Sequence, residues 1–191
     1  MEASEKILIG VAVAGVLVFM YFIAIYNRLV NLRALIENAW SNIDTELKRR
    51  YDLIPNLVST VKGYAAHEQT VLERVVQARQ QAMQEHSSRQ AQAQDENQLA
   101  KAVRGVLAVA ERYPDLKASQ NFLALQTELR NTEDRIQAAR RFYNGNVKDM
   151  NSLVQQFPSN LIAQAFGFGS CSYFELESAV ERQPVPVNFQ Q

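Results

Sequence analysis

The chain has 191 residues, with 20 acidic and 20 basic side chains, so its formal net charge is zero and no strong field draws nucleic acid or an acidic substrate. A single cysteine, Cys171, excludes an internal disulfide and any zinc site built from several thiolates. Seven Gly and five Pro are few for this length, and the abundance of Ala, Gln, Leu, Glu and Arg favours helix.

Residues 1–6 form a short start outside the membrane. Residues 7–26 carry no charge. A run of about 20 residues rising ~1.5 Å each covers ~30 Å, the hydrocarbon thickness of a bilayer. A cleavable signal peptide has a shorter apolar region, a positive start and a small-residue cleavage site. Here the start holds Glu2, Glu5 and Lys6, and the far end reads Phe22-Ile23-Ala24-Ile25-Tyr26. Residues 7–26 are therefore predicted to be a transmembrane helix, with Tyr21 and Tyr26 at its interface. Lys6 precedes the span, while Arg28 and Arg33 follow it, so the positive-inside rule puts the N-terminus outside and the remainder in the cytoplasm.

No Gly or Pro occurs from Val16 to Ile54, so the anchor is expected to continue as the first bundle helix. Leu29, Leu32, Ile36, Ala39, Trp40, Ile43, Leu47, Tyr51 and Ile54 give it one apolar stripe. The Lys48-Arg49-Arg50 run reads as a solvated face, with Asp44/Lys48 and Glu46/Arg50 as i,i+4 pairs. Pro55 is expected to open a second helix, since proline is tolerated in a first turn. Its seam, Leu57, Val61, Tyr64, Glu68, Val71, Val75, Ala78 and Ala82, steps by fours and threes like a heptad. Glu68 stands out there as a buried polar residue that pairs across the bundle and fixes register, or else as a carboxylate acting on a ligand.

Residues 84–94, rich in Gln, Ser and Ala, read as a loop or a fraying helix end, and Asp95 as the cap of the third helix. Pro114 ends that helix. The fourth runs through Phe122, Leu125, Leu129, Thr132, Ile136, Ala139, Tyr143, Val147, Met150, Val154 and Phe157. Two steps of four around Tyr143 and Val147 make a stutter at Asn144-Gly145-Asn146, where local unwinding is predicted. Glu133, Asp134, Arg140 and Arg141 belong to a solvated face or to a pairing with Glu68. The expected architecture is all-α: the transmembrane helix 7–26, then an antiparallel up-down four-helix bundle over 27–157. Its helices are predicted at about 27–54, 55–85, 95–113 and 116–157.

A Phe/Gly-rich segment, 158–181, follows Pro158, and 182–191 reads as an extended tail. The up-down order returns the fourth helix to the membrane-proximal end. Phe166, Phe168, Tyr173 and Phe174 are therefore candidates for packing on the bundle base, self-association, or dipping into the membrane interface.

No Glu-x-x-His, H-E-x-x-H, phosphate loop, G-x-S-x-G or G-x-G-x-x-G occurs. No catalytic, cofactor-binding or metal-ligating set is expected, and the chain reads as a non-enzyme.

Several stretches resemble the LemA family. They are Ala39-Trp40-Ser41-Asn42-Ile43-Asp44, Lys48-Arg49-Arg50-Tyr51-Asp52-Leu53-Ile54-Pro55-Asn56-Leu57 and Val61-Lys62-Gly63-Tyr64-Ala65. Ala110-Glu111-Arg112-Tyr113-Pro114-Asp115-Leu116-Lys117 and Gln155-Gln156-Phe157-Pro158-Ser159-Asn160 are similar too. The resemblance implies a bacterial membrane protein with one N-terminal span, the N-terminus outside, and a long four-helix bundle. It supplies no catalytic residues. The expected role is a scaffold at the bacterial inner membrane, in contact with membrane lipid. It forms a homo-oligomer, docks a protein partner left open by the sequence, or does both. The alternative is a signal-relay module transmitting motion through the anchor and first helix.

Overall fold

The structure is a computed structural model and describes residues Glu2–Glu175. It is all-helical, 86% helix, with no strand among the described residues. The helices are α1 Glu2–Tyr64, α2 Gln69–Ala82, α3 Arg89–Val109, α4 Pro114–Ala118, α5 Gln120–Gln155 and α6 Ser159–Ala165, with a 3-10 turn at Ala110–Arg112. The tail predicted at 182–191 lies outside the described residues. The chain divides into two compact units: Met1–Asp44 with Gln137–Tyr173, and Thr45–Ile136 with Phe174–Gln191.

The helix α1, 63 residues long, contains Pro55. The predicted break there is therefore corrected: the first turn comes at residues 65–68. A proline in a helix interior costs ~3 kcal/mol, partly because it cannot donate to the carbonyl four residues back. That carbonyl belongs to Tyr51, and Nε of Arg79 on α2 donates to it at 2.8 Å. Around the proline, Ile54, Leu57 and Val61 are fully buried. Such side chains gain about 1.5–3 kcal/mol each on burial, enough to carry the helix through.

The heptad drawn across residues 64–68 also fails, because it crossed a turn. Tyr64 is exposed, and the buried series restarts as Leu72, Val75, Ala78 and Ala82. The Ser88 hydroxyl, rather than Asp95, caps α3 by accepting from the Ala91 N–H. Ser88 has the extended backbone an N-cap needs, whereas Asp95 sits about two turns inside the helix and pairs with His86 at 2.9 Å. Residues 89–94 are consequently helical rather than a loop. Tyr113 is extended, the geometry favoured before a proline, and Pro114 opens α4.

In the unit containing Gln137–Tyr173, α5 shows no unwinding at Asn144-Gly145-Asn146. Tyr143 and Val147 are both fully buried, and Asn146 turns its side-chain amide onto the Phe142 carbonyl at 2.9 Å. The following inward residues are Met150 and Leu153, not Val154. Trp40 meets Tyr143 edge-on, ring centroids 5.5 Å apart. Pro158 is followed by the short helix α6, and Gly167, at φ 71°, stops it. The Phe168 N–H reaches back to the Ala163 carbonyl at 2.9 Å, the six-to-one bond of a Schellman stop. Residues 171–172 are fastened to α5. Asn151 exchanges two hydrogen bonds with the Cys171 backbone, and the Tyr143 hydroxyl donates to the Ser172 carbonyl at 2.9 Å.

Candidate functional site

Two clusters stand out, one in each unit. In the unit containing Thr45–Ile136, α1, α2, α3 and α5 each contribute to a single buried polar node. Arg50, only 2% exposed, donates to Glu96 of α3, which is fully buried. Its other terminal nitrogen donates to Oε2 of Glu133 on α5 at 3.0 Å. The Tyr51 hydroxyl contacts the same Glu96 carboxyl and, at 3.0 Å, the Ala82 carbonyl at the end of α2. Arg79 completes the set through the Tyr51 carbonyl.

Arg50 is buried because of its register. It lies three residues after Leu47 and four before Ile54, on the stripe side of α1. Of the Lys48-Arg49-Arg50 run predicted to be a solvated face, Lys48 and Arg49 are exposed and Arg50 is buried. Glu46 pairs with Arg135 at 3.7 Å rather than with Arg50. Glu133 serves Arg50, not Glu68. Glu68 sits in the turn between α1 and α2, half-buried, where Arg112 pairs with it at 3.0 Å and the Tyr113 hydroxyl donates to it at 3.1 Å. The fully buried carboxylate is Glu96, which no seam position singled out. Its signal was its spacing three before Leu99 on α3's apolar face.

Burial pushes the Glu96 carboxyl above its ordinary value of 4.5, against the opposing pull of the Arg50 charge, hydrogen bonds from Tyr51 and Arg50, and the His86 charge. The unfolded chain releases this proton near 4.5, while the folded chain holds it to higher pH. The stability contributed by the neutral carboxyl is thus complete below about 4.5 and is lost as pH rises through the folded value. Glu96→Gln cannot titrate. Its unfolding free energy, from urea titration in detergent, is expected to gain on the parent chain as pH rises from 4.5. A pH-independent difference would show that the folded state does not hold this proton.

Beside the node, a groove of about 240 Å³ is lined by Arg50, Arg104, Arg130, Glu133 and Asp134, among others. A larger groove between α2 and α3, about 610 Å³, has Arg74, Lys101 and Arg112 as its charged lining. Among the described residues no three His, Cys, Asp or Glu side chains gather closely enough to hold a metal ion.

The other unit carries an aromatic cluster. Phe166, at the end of α6, meets Phe22 and Tyr26 of α1 edge-on, with ring centroids at 5.7 and 4.8 Å. Phe168 reaches Tyr26 at 6.1 Å. Such edge contacts add about 0.5–1.5 kcal/mol each beyond the area they bury. Phe166 and Tyr173 keep exposed faces, whereas Phe174, which belongs to the unit of Thr45–Ile136, is fully buried and so presents nothing to lipid or to a second copy. On α1 itself, the large side chains of residues 7–20 are exposed, and this is the one helix among the described residues long and apolar enough to cross a membrane.

A family model described as the LemA family matches residues 39–189. The LemA protein of Metamycoplasma hominis is 30% identical over 94% of this chain and 81% of its own length. The magnetosome protein MamQ of Magnetospirillum gryphiswaldense is 20% identical over 91% of this chain and 74% of its own. MamQ 2 of Paramagnetospirillum magneticum is 24% identical over 81% of this chain and 66% of its own.

Proposed function

The chain belongs to the LemA family, and we propose that it is a non-enzymatic, membrane-anchored scaffold that self-associates, docks partner proteins, or does both at the bacterial inner membrane. The observation that carries this reading is α1. One unbroken helix bears an exposed apolar run long enough for a bilayer and, further along, Arg50 and Tyr51 at the polar node. An antiparallel four-helix bundle is supported by that node, to which α1, α2, α3 and α5 all contribute. It is supported too by the order of the ion pairs, in which residues 46 and 50 of α1 meet 135 and 133 of α5. A cytoplasmic bundle with the N-terminus outside rests on Arg28 and Arg33. Exposed Val30, Leu35 and Phe142 offer apolar area for a second copy. The α2–α3 groove, with its cationic lining, suits an acidic partner helix.

Light scattering of the full chain in detergent or nanodiscs tests the self-association half. Particles several times the 21.6 kDa chain mass are expected, and a strictly monomeric particle at high concentration sinks that half of the reading. The signal-relay alternative draws on α1 running unbroken past Asn27. Inserting Gly-Gly after Asn27 separates the two readings, because a scaffold keeps its assembly size while a relay loses transmission.

A further inference from the structure

We propose that the corner joining α5 to α6 is a second membrane contact, in which Phe157, Leu161 and Phe166 insert among lipid headgroups beside the transmembrane helix. The inference rests on residues 7–26 spanning a bilayer and adds a lipid-binding surface to that reading. Phe157 is 80% exposed, Leu161 56% and Phe166 49%, all in the unit of Met1–Asp44 and Gln137–Tyr173. Helix α6 is amphipathic on a small scale: Ser159, Ile162 and Ala163 face inward and Leu161 and Ala165 outward.

Contacts with α1 set the depth of this corner. Phe166 lies against Phe22 and Tyr26, at the end of the apolar run. Trp40 meets Tyr143, so later residues of α5 and α6 meet earlier residues of α1. From Tyr143 to Gln155 the helix rises about 18 Å, which returns along α1 from Trp40 to about residue 28. The headgroup layer occupies roughly 5–8 Å beyond the hydrocarbon on each side. Phe157 and Leu161 therefore reach the layer in which Arg28 and Tyr26 also lie. Exposed aromatic and aliphatic side chains at that depth are what an interfacial anchor uses, and lipid covers apolar surface there that water would otherwise wet.

The test uses the full chain with Trp40→Phe, reconstituted in vesicles whose lipids are brominated high on the acyl chains. Single tryptophans are placed by Phe157→Trp, Val18→Trp and Phe142→Trp. Phe142 adjoins Tyr143 at the level of Trp40, about 20 Å beyond the end of the apolar run. Quenching of Phe157→Trp close to that of Val18→Trp, and several-fold above that of Phe142→Trp, is the expected result. Bromolipid quenching no greater than that of Phe142→Trp overturns the proposal, whether aqueous iodide reaches the tryptophan or a second copy shields it. If Val18→Trp is itself unquenched, the anchor reading fails, and the two failures are thereby told apart.

Discussion

Above the pH at which the folded chain releases the Glu96 proton, Arg50→Ala is expected to destabilise the protein by about 3–5 kcal/mol, because it strands a carboxylate in the core. Glu96 has no exposure and relies on Arg50 and Tyr51. A loss of this size lowers the melting temperature by on the order of 10 °C. The contrast lies in the double variant Arg50→Met with Glu96→Leu. Replacing a buried ion pair by apolar groups of similar volume is often neutral or better, so most of the lost stability is expected to return. Glu133, at 38% side-chain exposure, can turn to solvent when Arg50 is gone. Thermal melts followed by circular dichroism in detergent decide the matter. A cost below ~1 kcal/mol for Arg50→Ala would mean the pair is solvated and the node is no fastener.

The second large effect concerns Pro55. Arg79→Met keeps the side chain's apolar stem but removes the donor to the half-buried Tyr51 carbonyl, a loss of about 1–2 kcal/mol for an orphaned acceptor. Pro55→Ala restores an N–H at the position from which a helix serves that same carbonyl. In the Pro55→Ala background, Arg79→Met should therefore cost markedly less. A double-mutant cycle by urea titration reads the coupling, expected at about 1 kcal/mol or more. Arg79 also lies in the last turn of α2, where a cation suits the helix dipole, and that share should survive in both backgrounds. Strictly additive costs would refute the substitution of Arg79 for the missing N–H.

Both expectations depend on residues that one-dimensional patterns handle badly. The apolar stripe of α1 was legible from Leu29 to Ile54 because burial repeats every three or four residues along a helix. Pro55 was misplaced because its penalty is local and visible, while its relief comes from Arg79, 24 residues on in the chain. Glu68 is the polar member of a regular seam in the sequence, yet that seam runs through the turn at residues 65–68. Glu96 carries no such mark. Whether a carboxylate three residues from Leu99 points to solvent or to an arginine is decided by the facing helix. The aromatic segment shows the same division. Its richness in Phe was plain, but only packing separates Phe174, buried, from Phe166, half-open against Phe22 and Tyr26.

The sequence alone determined the helical class, the apolar run at 7–26 and the LemA resemblance, since each depends on composition, period or local identity. Tertiary structure decided where the chain turns, which charges are buried and which phenylalanines remain open. Those outcomes rest on pairings between residues distant in the chain. Here a proline sits within a helix and a carboxylate within a core, and in both places another helix brings the missing hydrogen bond.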